Sequence, residues 1–192
     1  MFVYLPLHFN KNLKIFELKE KSFYKNYDIR FAGIGFGEHH FAFDLNSAFL
    51  KHYDPEFEDD ISIQLDFTIN KVSEVFFELG FLFNGHLNCY CDRCLNKIDY
   101  PFHSNHKMFL KVGHSSSKAS EDEDIIYASP YDYTINIADN IHDFVLFQIP
   151  VRKTCDMVGD KCDPEMIKKL EEFTISSEKK SQSIDYENNE LN

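Results

Sequence analysis

From Ile61 to Cys94 the chain reads ISIQLDFTINKVSEVFFELGFLFNGHLNCYCDRC. In its first nine residues Ile61, Ile63, Leu65, Phe67 and Ile69 alternate with polar residues. In the next apolar run Val75, Phe77, Leu79, Phe81 and Phe83 share one face, with Phe76, Glu78, Gly80 and Leu82 on the other. A period of two over nine residues is the pattern of a strand with one buried face. The link at Asn70–Ser73 is short enough for a hairpin. Asn84-Gly85 is the dipeptide most suited to a two-residue turn, so a third antiparallel strand, HLNCYC, is expected after it. That strand runs directly into three of the chain's five cysteines.

Outward from this stretch, Phe41, Phe43 and Leu45 alternate as a further strand, and GIGFG (Gly33–Gly37) marks a turn. GIGFG shares its glycine content with phosphate-binding loops but has no helix start behind it. Asn46 is placed to cap one or two helical turns over Asn46–Tyr53. DPEFEDD (Asp54–Asp60) reads as a solvated acidic loop. Ile98–Val112 reads as an interrupted strand, 113–124 as a flexible polar and acidic loop, and Ile125–Tyr127 as a short strand. Ile137, Ile141, Phe144, Val145 and Ile149 recur at helical spacing until Pro150 stops the helix. Asp163 and Pro164 are a cap and first residue for a short helix ending at Phe173. The fold class expected is α+β: a mostly antiparallel β-sheet or partly open barrel, a zinc-knuckle-like CxxC turn, and two C-terminal helices.

The 192 residues carry a formal net charge of −12, with 20 Phe, 10 Tyr and no Trp. Such an acidic charge argues against a nucleic-acid binder and equally against an anionic membrane surface. The charge is uneven: His86–Lys118 holds five basic against two acidic residues. No basic-then-apolar leader opens the sequence, and no run of about 18 apolar residues predicts a membrane span. A reducing compartment is therefore expected, where paired cysteines bind metal more often than they form disulfides.

Cys91 and Cys94 form a CxxC pair, whose spacing lets two thiolates reach one metal from a tight turn. Cys155 and Cys162 would complete a tetrahedral site of four thiolates. Three readings stay open on spacing alone: structural zinc, free structural thiols, and a redox pair. The last usually needs a helix N-terminus behind the motif to depress the thiol pKa. Cys89 continues the apolar face of its strand and reads as core packing. His86, His103 and His106 are the nearest substitute ligands and read as surface residues. No Ser-His-Asp, HExxH or phosphate-loop arrangement is visible, and a site closed by four cysteines leaves no open position for catalysis.

Four stretches together resemble the YceD family, the large ribosomal RNA subunit accumulation proteins, in a form found in Bacteroidetes-type bacteria. GIGFGEHHFAFDL looks like the family's N-terminal glycine turn and strand, and CDRCL (Cys91–Leu95) like its most distinctive motif. INIADNIHDFVLFQIPVRKTC looks like its second motif, and CDPEMIKKLEEF like its closing cysteine and helix. The resemblance implies a single YceD-like domain over 1–173, with a core of about 31–173; the remaining residues, 174–192, have no apolar period and read as a disordered acidic tail. It implies a cytoplasmic, non-enzymatic factor in 23S ribosomal RNA accumulation and large-subunit assembly, with a structural zinc at Cys91, Cys94, Cys155 and Cys162. Its partners would be pre-23S rRNA or a large-subunit precursor and possibly ribosomal proteins, with no membrane and no small-molecule substrate. Arg93, Lys97, Arg152 and Lys153 are the candidate contacts. The rival reading is a zinc-stabilised protein-interaction adaptor with no direct RNA role.

Overall fold

The computed structural model describes residues 22–113 and 124–173. The expected flexible loop at 113–124, all but its end residues, and the expected tail at 174–192 lie outside them. The described strands are β1 (Asp28–Arg30), β2 (Gly37–Asn46), β3 (Asp60–Ser73), β4 (Phe76–Tyr90), β5 (Lys97–Val112), β6 (Ile125–Ala128) and β7 (Thr134–Asn136). The helices are α1 (Ser47–Tyr53), α2 (Ala138–Gln148) and a last one over 164–173, with a further helical turn over 22–25 and a 3-10 turn at Cys155–Val158. A five-stranded sheet runs in the order β2-β3-β4-β5-β6, and β1 pairs with β7 in a separate two-stranded sheet. The architecture is α+β and mostly strand, with an open sheet and no closed barrel.

β3 and β4 are joined by a two-residue turn and pair antiparallel. Asn70 donates to Glu78 across them at 3.0 Å, and the Phe67 and Phe81 rings meet edge to face at 4.9 Å. β4 and β5 also run antiparallel, with His86 facing Asp99 and Phe83 facing Phe102. One pairing departs from this pattern: β5 and β6 are parallel, with Phe109 opposite Ile125.

The turn expected at Asn84-Gly85 does not form. β4 continues through both residues as one strand of 15 residues. The odd positions keep facing the core throughout: Phe77, Leu79, Phe81, Phe83, Leu87 and Cys89 are all buried. The reason lies in the neighbouring strand. A Cβ on Gly85 would stand 2.1 Å from the Ser62 carbonyl oxygen and 2.6 Å from the Ile63 Cα. This glycine admits a close backbone approach, a role distinct from the positive φ of a turn. The expected separate strand HLNCYC is thus the second half of β4.

By compactness the chain divides into two units, each using parts of the long strands. One comprises residues 1–40, 68–80 and 106–147. Here the Gly33 and Gly37 backbones take left-handed φ of 84° and 100°, forming the expected glycine turn, with a strand and no helix behind it. Asn136 caps α2 by accepting from the Ala138 N–H at 3.0 Å. Ile137, Ile141 and Val145 are fully buried in this unit, and the Phe144 ring stacks on His106 at 4.1 Å.

The other unit comprises 41–67, 81–105 and 148–192. Asn46 caps α1 as expected, accepting from the Ala48 N–H at 3.0 Å. Phe49 and Leu50 of that helix are buried, as are Ile61, Ile63, Leu65 and Phe67 of β3. Each such side chain contributes roughly 1.5–3 kcal/mol by leaving water. Pro101 is accommodated in β5 because β6 pairs only with Phe109–Val112. At Pro101 one flank of β5 has no described strand beside it, the edge position at which a strand tolerates proline. Asp163 caps the last helix, accepting from the Glu165 N–H at 2.8 Å. No helix among the described residues is long and apolar enough to cross a membrane.

Candidate metal centre

The site is built where β4 runs out. Leu87, Cys89 and Cys91 continue the buried odd face, and then the chain turns sharply. The Cys91 N–H donates to the Asn96 carbonyl at 2.8 Å, and the Leu95 N–H donates to the Cys91 carbonyl at 2.9 Å. This closes a knuckle that hands the chain to β5. Its last turn is made by Leu95 with a left-handed φ of 61°, the only non-glycine residue with positive φ among those described. That conformation costs a residue bearing a Cβ about 1–2 kcal/mol.

The second half comes from the segment after Pro150. Thr154 is buried, Cys155–Val158 makes one 3-10 turn, and Gly159 closes it at φ 81°. Two reciprocal hydrogen bonds join this segment to the knuckle. The Asp92 N–H donates to the Lys153 carbonyl, and the Lys153 N–H donates to the Asp92 carboxylate, each at 2.7 Å. The Lys153 ammonium is itself held by Asp59, from the loop before β3.

These contacts bring four thiols together. The sulfurs of Cys91, Cys94, Cys155 and Cys162 lie within 4.8 Å of one another. Cys91 and Cys162 are 3.7 Å apart, and Cys94 and Cys155 are 3.5 Å apart. A disulfide would need about 2.05 Å. A tetrahedral zinc with bonds of about 2.3 Å separates its sulfurs by about 3.8 Å. The set therefore has the donor type and number to hold a metal ion, and its two closest sulfur pairs stand near the separation that tetrahedral coordination sets. Cys91, Cys94 and Cys155 are buried, while Cys162 is half-buried.

The electrostatics of the thiols differ. Burial raises the Cys91 pKa, but N–H donors from Cys94, Arg93 and Cys155 and the Cys94 thiol outweigh it and bring it down to about 6. Burial and the neighbouring thiols push Cys155 and Cys162 up. One position is thus set to carry a thiolate ahead of any metal, the form in which cysteine binds cations.

Cys89 stands apart from the four. It is 3% exposed, packed on the face of β4 it was expected to extend, and burial followed by the Asp59 charge raises its pKa. It lines a pocket of about 340 Å³ with Glu58, Asp59, Asp60, Asn88, Tyr90 and Lys97. His86 and His103 are exposed, and bond to Asp99 and Asn84. His106, expected at the surface, is half-buried against Phe144. None of the three histidines joins the thiol cluster.

The four candidate contact residues fall into different settings. Arg93 and Arg152 are exposed, and neither forms an ion pair among the described residues. Both act on Asp156, whose carboxyl is held below its usual range first by a Thr154 hydrogen bond and further by the two arginines. Lys97 is exposed, with its ammonium 5.8 Å from the centre of the Tyr90 ring. Lys153 is half-buried on Asp59 and serves the join between the two segments. Sequence reasoning missed Asp59, Asp92 and Leu95. Asp92 at least sits inside the CDRC motif, whereas nothing local marks Asp59 as the partner of a lysine 94 positions away.

The family model described as large ribosomal RNA subunit accumulation protein YceD matches residues 80–191, over half of the chain. No curated protein and no solved structure matches it at a significant level. The matched span contains all four clustered cysteines and both halves of the knuckle.

Proposed function

The chain belongs to the YceD family, whose name ties it to the large ribosomal subunit RNA, and on that premise we propose that it is a non-enzymatic factor in 23S rRNA accumulation and large-subunit assembly. The observation that carries this is the match over residues 80–191, the span that builds the thiol cluster. Its partners on this reading are pre-23S rRNA within a large-subunit precursor and the ribosomal proteins beside it, in the cytoplasm.

Cys91, Cys94, Cys155 and Cys162 would hold the zinc. Zinc bound by four thiolates would supply cross-linking and offset part of their negative charge, with no open position for a water or substrate. The chain's own residues do the rest. Asp92 and Lys153 lock the two cysteine segments together, and Asp59 anchors Lys153. Arg93, Arg152 and Lys97 remain exposed for contact. The global charge of −12 does not oppose this, because screening over about 8–10 Å makes charge local in effect.

Sedimentation of cell extract through a sucrose gradient tests the reading. The protein is expected with large-subunit precursors, and the double change Arg93→Glu, Arg152→Glu releases it. Absence from every ribosomal fraction even at low salt refutes the reading. An RNase-resistant complex free of ribosomal proteins would favour an adaptor instead. Elemental analysis of protein prepared without chelators is expected to give about one zinc per chain, lost in Cys94→Ser. A value near zero in the wild type refutes the zinc assignment.

A further inference from the structure

The knuckle carries side chains that neither the sheet nor the thiol cluster uses. Leu95 follows the second cysteine in a left-handed backbone and is 64% exposed. In the paired segment, Val151 is fully exposed and Met157 is 43% exposed. Arg93 and Arg152 stand on the same two segments, exposed, with no ion pair within 4.0 Å among the described residues and with the Asp156 carboxylate as the acid both act on. The reciprocal Asp92–Lys153 bonds and the thiol contacts hold these segments side by side.

The Leu95 backbone closes the knuckle on the Cys91 carbonyl, but that role does not call for an exposed aliphatic side chain. Glycine or asparagine would adopt the Leu95 backbone at little cost, and neither would expose an aliphatic side chain. Strain of this kind persists where a position is used for something else. An aliphatic tip flanked by two guanidiniums fits a particular kind of surface. Duplex RNA offers phosphates and 2′-hydroxyls, on which a leucine finds nothing to bury against. Unpaired RNA offers the faces of splayed bases beside phosphates, matching the apolar tip and the two exposed guanidiniums together.

Resting on the ribosomal reading above, we propose that the knuckle docks on an unpaired stretch of RNA, with Leu95 set against a base and Arg93 and Arg152 on the flanking phosphates. The charge pattern favours a polyanion: Arg93 and Arg152 share one nearby carboxylate, Asp156, which the two guanidiniums outnumber, in a chain that is otherwise strongly acidic. Two phosphate contacts also fix how the binding responds to salt. The slope of log K against log salt should be about −1.4, roughly 0.7 per phosphate.

The test uses the full zinc-loaded chain and two fluorescent probes, an unstructured oligouridine and a duplex of equal length. Fluorescence anisotropy should show the single strand bound at least tenfold tighter than the duplex. Leu95→Gly relieves the backbone, so its melting temperature should hold or rise while single-strand affinity falls about tenfold, the loss of one base contact. Leu95→Asn should do the same, because asparagine tolerates the conformation without the apolar tip. Arg93→Gln and Arg152→Gln should each flatten the salt slope by about 0.7. Equal binding of the two probes, binding of neither, or wild-type affinity in Leu95→Gly overturns the proposal. So does a Leu95-dependent partner that survives RNase. If the wild type still sediments with large-subunit precursors in those cases, the ribosomal reading stands without it. Absence from those fractions removes both.

Discussion

Replacing Gly85 separates two physical roles that a glycine after an asparagine can have. In β4 its added Cβ meets the Ser62 oxygen at 2.1 Å, the Ile63 Cα at 2.6 Å and the Ser62 carbonyl carbon at 3.0 Å. All three atoms are backbone, so no rotamer change relieves the contact. Reaching an ordinary separation of 3.4 Å from the oxygen requires β3 to yield by the difference from 2.1 Å, about 1.3 Å. Overpacking of this kind costs about 1–3 kcal/mol, and a backbone obstacle lies at the upper end, about 2–3 kcal/mol. At about 2–4 °C per kcal/mol for a chain of this size, the melting temperature should fall by about 4–12 °C. Gly85→Ala and Gly85→Asn should be equally damaging, since both carry the same Cβ. A turn glycine behaves otherwise: alanine would cost about 1 kcal/mol and asparagine close to nothing, because asparagine tolerates positive φ. Gly35→Ala serves as the control, with nothing within 4 Å of its added Cβ and no left-handed φ. Thermal unfolding of the three variants by circular dichroism is sufficient. A Gly85→Asn protein that melts within about 1 °C of wild type, beside a destabilised Gly85→Ala, would refute the close-approach reasoning.

Three further outcomes are expected. In metal-free protein, far-ultraviolet absorbance should show one thiolate appearing near pH 6, absent from Cys91→Ser. Its pKa is depressed from 9.0, so its stabilisation of the metal-free fold is present above pH 9 and lost as the pH falls through about 6. His106 has its pKa lowered from 6.5 by burial, so the fold favours neutral imidazole. Stability should therefore decline as the pH drops below 6.5, and His106→Phe should flatten that slope in denaturant titrations. Asp92→Ala removes the acceptor for the Lys153 N–H and should cost about 1 kcal/mol, whereas Asp92→Asn, keeping a carbonyl oxygen, should cost under half of that by chemical denaturation.

The legible parts of the fold were those in which one face of an element meets the core. The alternation in Ile61–Ile69 and Phe77–Phe83 became β3 and β4, and the spacing of Ile137, Ile141 and Val145 became the buried stripe at α2, whereas β3 runs on through the expected link at Asn70–Ser73 and Val75 is exposed in the turn after it. Caps were equally readable, since Asn46 and Asp163 act on N–H groups two residues away. Gly85 was misread because a turn dipeptide is a local signal, while the close approach of Ser62 is imposed from another strand. The pairing of β1 with β7 rests on three residues each and has no periodicity to announce it. At the site, the ligand set was visible because CxxC spacing is chemistry written in sequence. Asp59 and the Asp92–Lys153 lock were not, since their partners meet only after folding.

The thiol pairs join residues that are far apart in the chain, 71 positions for Cys91 and Cys162 and 61 for Cys94 and Cys155. On the zinc reading, the ion closes a long loop. In the chain-entropy view, closing about 61 residues lowers the unfolded state's freedom by about 4 kcal/mol, much as a disulfide would, yet reversibly and under reducing conditions. There is also an ordering in time. The first two ligands are synthesised before β5, and the last two only after α2. The coordination shell therefore cannot be completed until the translating ribosome has passed Cys162. Metal capture then becomes a late checkpoint in the protein's own synthesis, and zinc scarcity would leave chains full-length but unlatched.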